Sequence, residues 1–191
     1  MKTLALFIAI LTVGCVVSFP ELGMPEKGAL VALEGGFNTT GSDSLPRREV
    51  FINPVFVKDN GVTHTQGIRL DDVNLLAQLP PGKHTLQSVA FHHGTEKNWS
   101  KPHVVSAALL PTPLNRMGVE VRIGEVLYLG NLEIEGEIGG ADHQVSVKQA
   151  TLKNDPQREI AVWKGLLRHK SMATSPWRNK IEARLKELGG L

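Results

Sequence analysis

"GVEVRIGEVLYLGNLEIEGEI", residues 118–138, is the stretch whose periodicity decides the fold. In its first part Val119, Val121 and Ile123 alternate with Glu120 and Arg122, and the apolar set is expected to face inward. Gly124 and Glu125 turn the chain. Beyond the turn Leu132, Ile134 and Ile138 share one face, while Glu133, Glu135 and Glu137 share the other. A period of two belongs to extended backbone, because successive side chains of a strand point to opposite sides. "HQVSVKQA", 143–150, repeats it with Val145 and Val147.

Working toward the N-terminus, further strands are separated by turn formers. "VVSAALL", 104–110, is followed by the proline-punctuated loop "PTPLN". In "VNLLAQLPPGKHTLQSVAF", 73–91, Pro81-Gly82 separates an apolar approach from a strand. "VFINPVFVK", 50–58, is a strand whose Pro54 cannot donate to a ladder, which places it at an edge or a bulge. "DNG", 59–61, is the best hairpin turn, with a return strand expected over 62–70. "GALVALEGG", 28–36, is a strand apolar on both faces, and "FNTTGSDSLPRRE" after it is a polar loop. Many short strands at near-regular spacing predict a mainly β protein, an antiparallel β-sandwich of Ig-like or transthyretin-like type.

The period changes in the tail. Asp155 is a good N-cap and Pro156 suits the first helical position, so "PQREIAVWKGLLRHK" starts a helix with the stripe Ile160, Trp163, Leu166 and Leu167. Ser175-Pro176 repeats the signal, and Trp177, Ile181, Leu185 and Leu188 line one face before Gly189-Gly190 ends the helix. Two amphipathic helices are expected to brace the sandwich. The alternative is a basic amphipathic tail lying on a membrane surface.

Charge is uneven. Residues 21–147 hold 10 Lys/Arg and 15 Asp/Glu, whereas residues 148–191 hold 10 Lys/Arg and 4 Asp/Glu. Attraction between an acidic body and a basic tail is the first explanation to consider. Nucleic acid is not expected as a partner, since no stacking-aromatic motif accompanies the lysines.

At the N-terminus, Met1-Lys2 precedes "TLALFIAILTVG", an uncharged run of signal-peptide type. Thr12, Val13, Gly14 and Cys15 resemble the lipobox of bacterial lipoproteins. That resemblance implies cleavage before Cys15, a glyceride on its thiol and acylation of the new N-terminus. Two or three acyl chains hold a protein to a membrane almost permanently. Cys15 is also the only cysteine, so it cannot form an internal disulfide. With Val16 and Val17 after the cysteine, the family's sorting rule favours the outer membrane over retention in the inner one. The location implied is the bacterial cell envelope, facing the periplasm or the surface. An uncleaved anchor over residues 3–20, or cleavage after "VVS" to release a soluble protein, are the competing readings. "NTT" at 38–40 and "NWS" at 98–100 would matter only in a eukaryotic secreted protein.

The expected organisation is a signal peptide over 1–14, a tether over 15–27, a β-sandwich over 28–152 and a helical hairpin over 153–191. Two more resemblances bear on it. "LPPGKHTLQSVAF", 79–91, is similar to the L-P-P-G-x-Y-x-L hairpin of carboxypeptidase regulatory-like and transthyretin-like sandwiches, with His84 in place of tyrosine. "IGEVLYLGNLEIEG", 123–136, resembles a strand of poorly characterised bacterial envelope lipoproteins. Both imply non-catalytic binding or surface modules, and together they cover under a third of the mature chain.

Chemistry is sparse. Of His64, His84, His92, His93, His103, His143 and His169, the candidate binding positions are His92, His93 and His103. On an unbroken strand, positions 84 and 92 share a face about 26 Å apart, too far for ligands at about 2 Å from one ion. One of His92 and His93 with His103 and an acid is the metal alternative. Asp71-Asp72 could serve a glycosidase, but a turn cap is the simpler role. Glu133, Glu135 and Glu137 form a solvated strand face that could also attract cations or a basic partner. No G-x-S-x-G elbow, phosphate loop or dinucleotide fingerprint is present, so neither a catalytic residue nor a cofactor is expected. The function expected is that of a lipid-anchored envelope protein binding an envelope protein or polymer, or serving as an accessory subunit. A metal- or small-molecule-binding lipoprotein comes second and an envelope hydrolase third.

Overall fold

A computed structural model describes residues 23–39, 50–64, 68–70, 73–93, 103–139 and 144–191. Among the described residues a 3-10 turn, Pro25–Lys27, comes first and ten strands follow. They are β1 (Ala29–Thr39), β2 (Val50–Lys58), β3 (Thr63–His64), β4 (Ile68–Leu70), β5 (Val73–Leu79), β6 (Gly82–His93), β7 (His103–Leu109), β8 (Gly118–Val121), β9 (Val126–Gly139) and β10 (Gln144–Lys153). Helices α1 (Pro156–Arg168) and α2 (Arg178–Glu187) complete the chain.

The strands form two sheets. One has the order β10-β9-β1-β5-β4, and the other β3-β2-β6-β7 with β8 also paired to β6. Val31, Leu33, Phe37, Leu132 and Ile134 of the first sheet meet Ile52, Phe56, Leu86, Val89, Phe91 and Val121 of the second in one core. Phe37 and Phe91 meet edge to face across it, centroids 4.9 Å apart. The protein is therefore mainly β, as its period-two stretches predict.

The expectation of wholly antiparallel sheets fails at one pairing. β1 runs parallel to β9 from Leu30↔Val126 to Thr39↔Gly136. Parallel neighbours need a long crossover; here the chain between β1 and β9 builds the second sheet and part of the first. The return strand expected over 62–70 is also split. β3 pairs with β2, but β4 pairs with β5 in the other sheet. The "DNG" turn itself forms: Gly61 N–H donates to the Lys58 carbonyl at 2.8 Å. Pro54 sits where β2 pairs with β6 alone among the described strands, and a register shift follows at Val55/Phe56. Both of the positions open to a strand proline thus apply. β5 and β6, on either side of Pro80-Pro81, belong to different sheets, so "LPPG" makes an arch between sheets and not a hairpin.

Ile123 is a further correction. Val119 and Val121 are buried, but β8 ends at Val121 and Ile123 is 60% exposed. It lies in the turn that returns to β9, where the alternation no longer applies.

β9 changes phase in the middle. Leu127 and Leu129 pack on the inter-sheet core, as do Leu132 and Ile134. The switch falls at Gly130, whose φ of 120° is closed to most L side chains, and a Cβ there would stand 2.5 Å from the Lys153 carbonyl oxygen. The parallel ladder with β1 shifts register at the same place. This bulge gives the outer face of the sheet two zones. Near its start Leu30, Ala32, Val126 and Tyr128 form an apolar floor, and beyond the bulge come Glu133, Glu135 and Glu137.

The helices cover that floor. Val162, Trp163, Leu166, Met172, Trp177, Ile181 and Leu185 are buried with Leu30, Ala32, Val126 and Tyr128 in a second core. Asp155 caps α1 by accepting from Gln157 N–H at 2.9 Å. α2 begins after a turn in which Ser175 Oγ accepts from Trp177 N–H at 3.2 Å. It ends in a Schellman arrangement: Gly189 at φ 69°, Gly190 N–H on the Leu185 carbonyl and Gly189 N–H on that of Lys186.

Candidate functional site

Two carboxylates are buried beneath the helices, and both are engaged by arginine. Glu34, only 3% exposed, is the outward-facing acid of β1. Arg158 of α1 approaches it through Nε, at 2.9 Å from both oxygens, and through a terminal nitrogen at 2.6 Å from Oε1. Tyr128 of β9 donates its hydroxyl to Glu34 Oε2 at 2.6 Å. Burial, then this hydrogen bond, then the nearby carboxylate charge raise the Tyr128 pKa well above that of a free phenol. A cation in the first turn of a helix opposes the helix dipole, and Glu34 compensates for Arg158 there.

The second cluster ties the helices together. Glu159, 4% exposed, accepts from Trp163 Nε1–H at 3.1 Å and from Arg184 of α2 at 2.8 and 3.3 Å. Arg184 also reaches Glu187 at 3.2 Å. Its hydrogen bond to Glu159 raises its pKa, against the opposing effect of burial. Buried carboxylates satisfied in this way fix the position of α1 on the sheet and of α2 on α1.

The acidic body and basic tail do meet. Besides Arg158–Glu34, Lys153 of β10 lies 2.8 Å from Glu133, and Lys148 pairs with Glu137. The three glutamates of β9 therefore face solvent with two of them engaged by lysines of the neighbouring strand.

The histidines separate into different situations. His84 is fully buried in the second sheet, its Nε2 2.7 Å from the Pro80 carbonyl. A carbonyl only accepts, so Nε2 carries the proton and the ring holds the arch in place. The unbroken alternation expected between positions 84 and 92 is absent. Val55↔Ser88 is followed by Phe56↔Leu86, so Gln87 is the extra residue of a bulge, and burial passes from 84 and 86 to 89 and 91. β6 and β7 place His93 directly opposite His103, with His92 opposite Val104. Of the three candidate binding positions, the backbone thus brings two into register. His143 and Asp71-Asp72 lie outside the described residues, as does Cys15. Among the described residues no group of three or more metal-ligating side chains occurs. No described helix is long and apolar enough to cross a membrane.

The chain emerges beside α2. Trp177 Nε1–H donates to the Gly23 carbonyl at 2.7 Å, which holds the start of the domain against the junction of the two helices. Sequence reading passed over Glu34, Tyr128, Glu159 and this contact. One signal was available: Glu34 is the single charge in "GALVALEGG", and Tyr128 is the only tyrosine.

No protein-family profile matches the chain, and no curated protein is similar to it.

Proposed function

We propose that this chain is a lipid-anchored protein of the bacterial envelope, held through Cys15. In this reading an Ig-like β-sandwich, braced by its C-terminal helices, serves as a non-catalytic binding or accessory module. The carrying observation is the leader: an uncharged run ending in Thr12-Val13-Gly14-Cys15, with no second cysteine anywhere in the chain. The buried acids Glu34 and Glu159 are engaged by arginines in holding the helices, a structural use of charge. The outer-membrane assignment rests on Val16 and Val17 and the family's sorting rule.

Metabolic labelling with a fatty-acid analogue tests the anchor. Wild-type chain is expected to carry label and Cys15→Ser none; an unlabelled wild type refutes the reading. Cross-linking in the envelope then identifies the protein or polymer partner, and no reproducible capture counts against a binding role.

A metal-binding alternative is favoured by one observation, the cross-strand register of His93 and His103. It requires saturable zinc or copper binding that weakens in both His93→Ala and His103→Ala.

A further inference from the structure

We infer that the junction of α1 and α2 rests against an anionic lipid surface, so that the domain lies on its membrane in one orientation. The orientation rests on the lipid-anchor reading; the surface chemistry does not.

Between Glu159 and Glu182 there is no acidic residue, while Lys164, Arg168, Lys170, Arg178 and Lys180 all fall in that stretch. Arg178 is half-buried and pairs with Glu182 at 2.9 Å. Lys164, Arg168, Lys170 and Lys180 are exposed and take no part in any ion pair among the described residues. Arg158, Arg184, Lys148 and Lys153 each meet a carboxylate, and of the tail's other basic residues only Lys186, in the last turn of α2, lies away from this end.

The same end is where the chain enters the domain. Trp177, inside the basic stretch, holds the Gly23 carbonyl. Lys180 lies over the first turn: a Cβ on Gly124 would stand 3.3 Å from its Nζ and 3.8 Å from the Pro25 carbonyl oxygen. A fully extended chain from Cys15 to Gly23 spans at most about 29 Å, and a relaxed one about 16 Å. A lipid on Cys15 therefore holds the helix junction nearer the bilayer than the distant strands. The apolar stripes of both helices are already buried against the sheet, so the helices offer the membrane charge, with Met24 and Ile123 the exposed apolar side chains beside the entry turn. Glu21 and Glu26 flank this entry point in sequence, and Glu125 follows Gly124; its carboxylate accepts from Arg122 N–H at 3.0 Å.

Each basic residue close to an anionic leaflet strengthens association by about fivefold, and salt screens the effect. The test uses residues 16–191, which retain every described contact and carry neither leader nor lipid. Vesicles of phosphatidylcholine alone are compared with vesicles also containing phosphatidylglycerol, by cosedimentation at low and high salt. Binding is expected to the anionic vesicles only and to fall with salt. Lys170→Ala with Lys180→Ala should weaken it about 25-fold, and Lys164→Ala with Arg168→Ala comparably. Lys148→Ala with Lys153→Ala, on β10 and each paired with a glutamate of β9, should leave it unchanged. Equal binding to both vesicle types, or equal loss in all three double variants, overturns the inference. Because this protein carries no lipid, the outcome is independent of whether fatty-acid labelling of Cys15 succeeds.

Discussion

Replacing Arg158 with methionine isolates the contribution of the buried cluster on β1. The apolar stem is kept, and the loss is the guanidinium that contacts Glu34 with two nitrogens at 2.6–2.9 Å. Glu34 then remains under the helix with the Tyr128 hydroxyl still donating to it. Removing one member of a buried pair costs about 3–5 kcal/mol, because the other charge stays desolvated and uncompensated. Arg158 is itself 57% exposed and regains little hydration when removed. The lower end applies, about 3 kcal/mol. For a domain of this size that corresponds to a fall in Tm of about 6–12 °C. Urea unfolding of wild type, Arg158→Met, Glu34→Gln and the double variant completes a cycle. Glu34→Gln should rescue part of the Arg158→Met loss, with a coupling energy of about 2 kcal/mol. A single-variant cost below about 1 kcal/mol, or strictly additive losses, would show that the guanidinium does not compensate the buried charge.

Tyr128 is the only tyrosine, so ultraviolet titration reads one group. Its folded pKa is raised, so its stabilising contribution should be complete below about pH 10 and decline as pH climbs further; phenolate absorption appearing near pH 10 in the folded protein would refute this. Gly130→Ala should destabilise by about 2 kcal/mol or more, since it combines a positive φ with a Cβ 2.5 Å from the Lys153 carbonyl oxygen; a wild-type melting curve would mean that the bulge relaxes freely. Trp177→Phe keeps the buried ring but loses the bond to Gly23, and should cost about 1 kcal/mol with faster hydrogen exchange at Lys27 and Gly28, whose amides hold the first turn. By contrast Lys153→Ala should change stability by less than about 0.5 kcal/mol, because its partner Glu133 sits on a solvated face; a larger loss would mean that the pair is shielded from water.

The strands were legible wherever one face is buried and the other wet. Val119/Val121 and Leu132/Ile134 show their period because the opposite sheet lies on one side and water on the other. The helices were legible for the same reason, with the added signals of Asp155, Pro156 and the terminal glycines. What the sequence could not display is partnership. β1 is apolar on both faces, which is compatible with either direction of pairing, and its parallel alignment with β9 depends on how the second sheet is threaded between them. The phase switches at Gln87 and Gly130 were missed because a one-residue insertion looks locally like any strand residue until its partner is known. Ile123 was misplaced by extending a pattern past the end of its strand.

The buried acids show the same limit in chemical form. Glu34 and Arg158 are 124 residues apart, and Glu159 and Arg184 are 25 apart. Neither pair has a spacing that announces it, and on a helix surface Arg158, Glu159 and Arg184 read as ordinary solvated charges. Their roles arise only when α1 settles over Leu30, Ala32, Val126 and Tyr128, which removes water from one side of each carboxylate. Apolar packing alone would tolerate several rotations of α1 on so smooth a floor. A carboxylate fixed in β1 accepts the Arg158 fork in one of them, while Glu159 demands the matching placement of α2. Satisfying both carboxylates at once therefore sets the end at which Trp177 meets Gly23, and with it the direction from which the N-terminal segment approaches the domain.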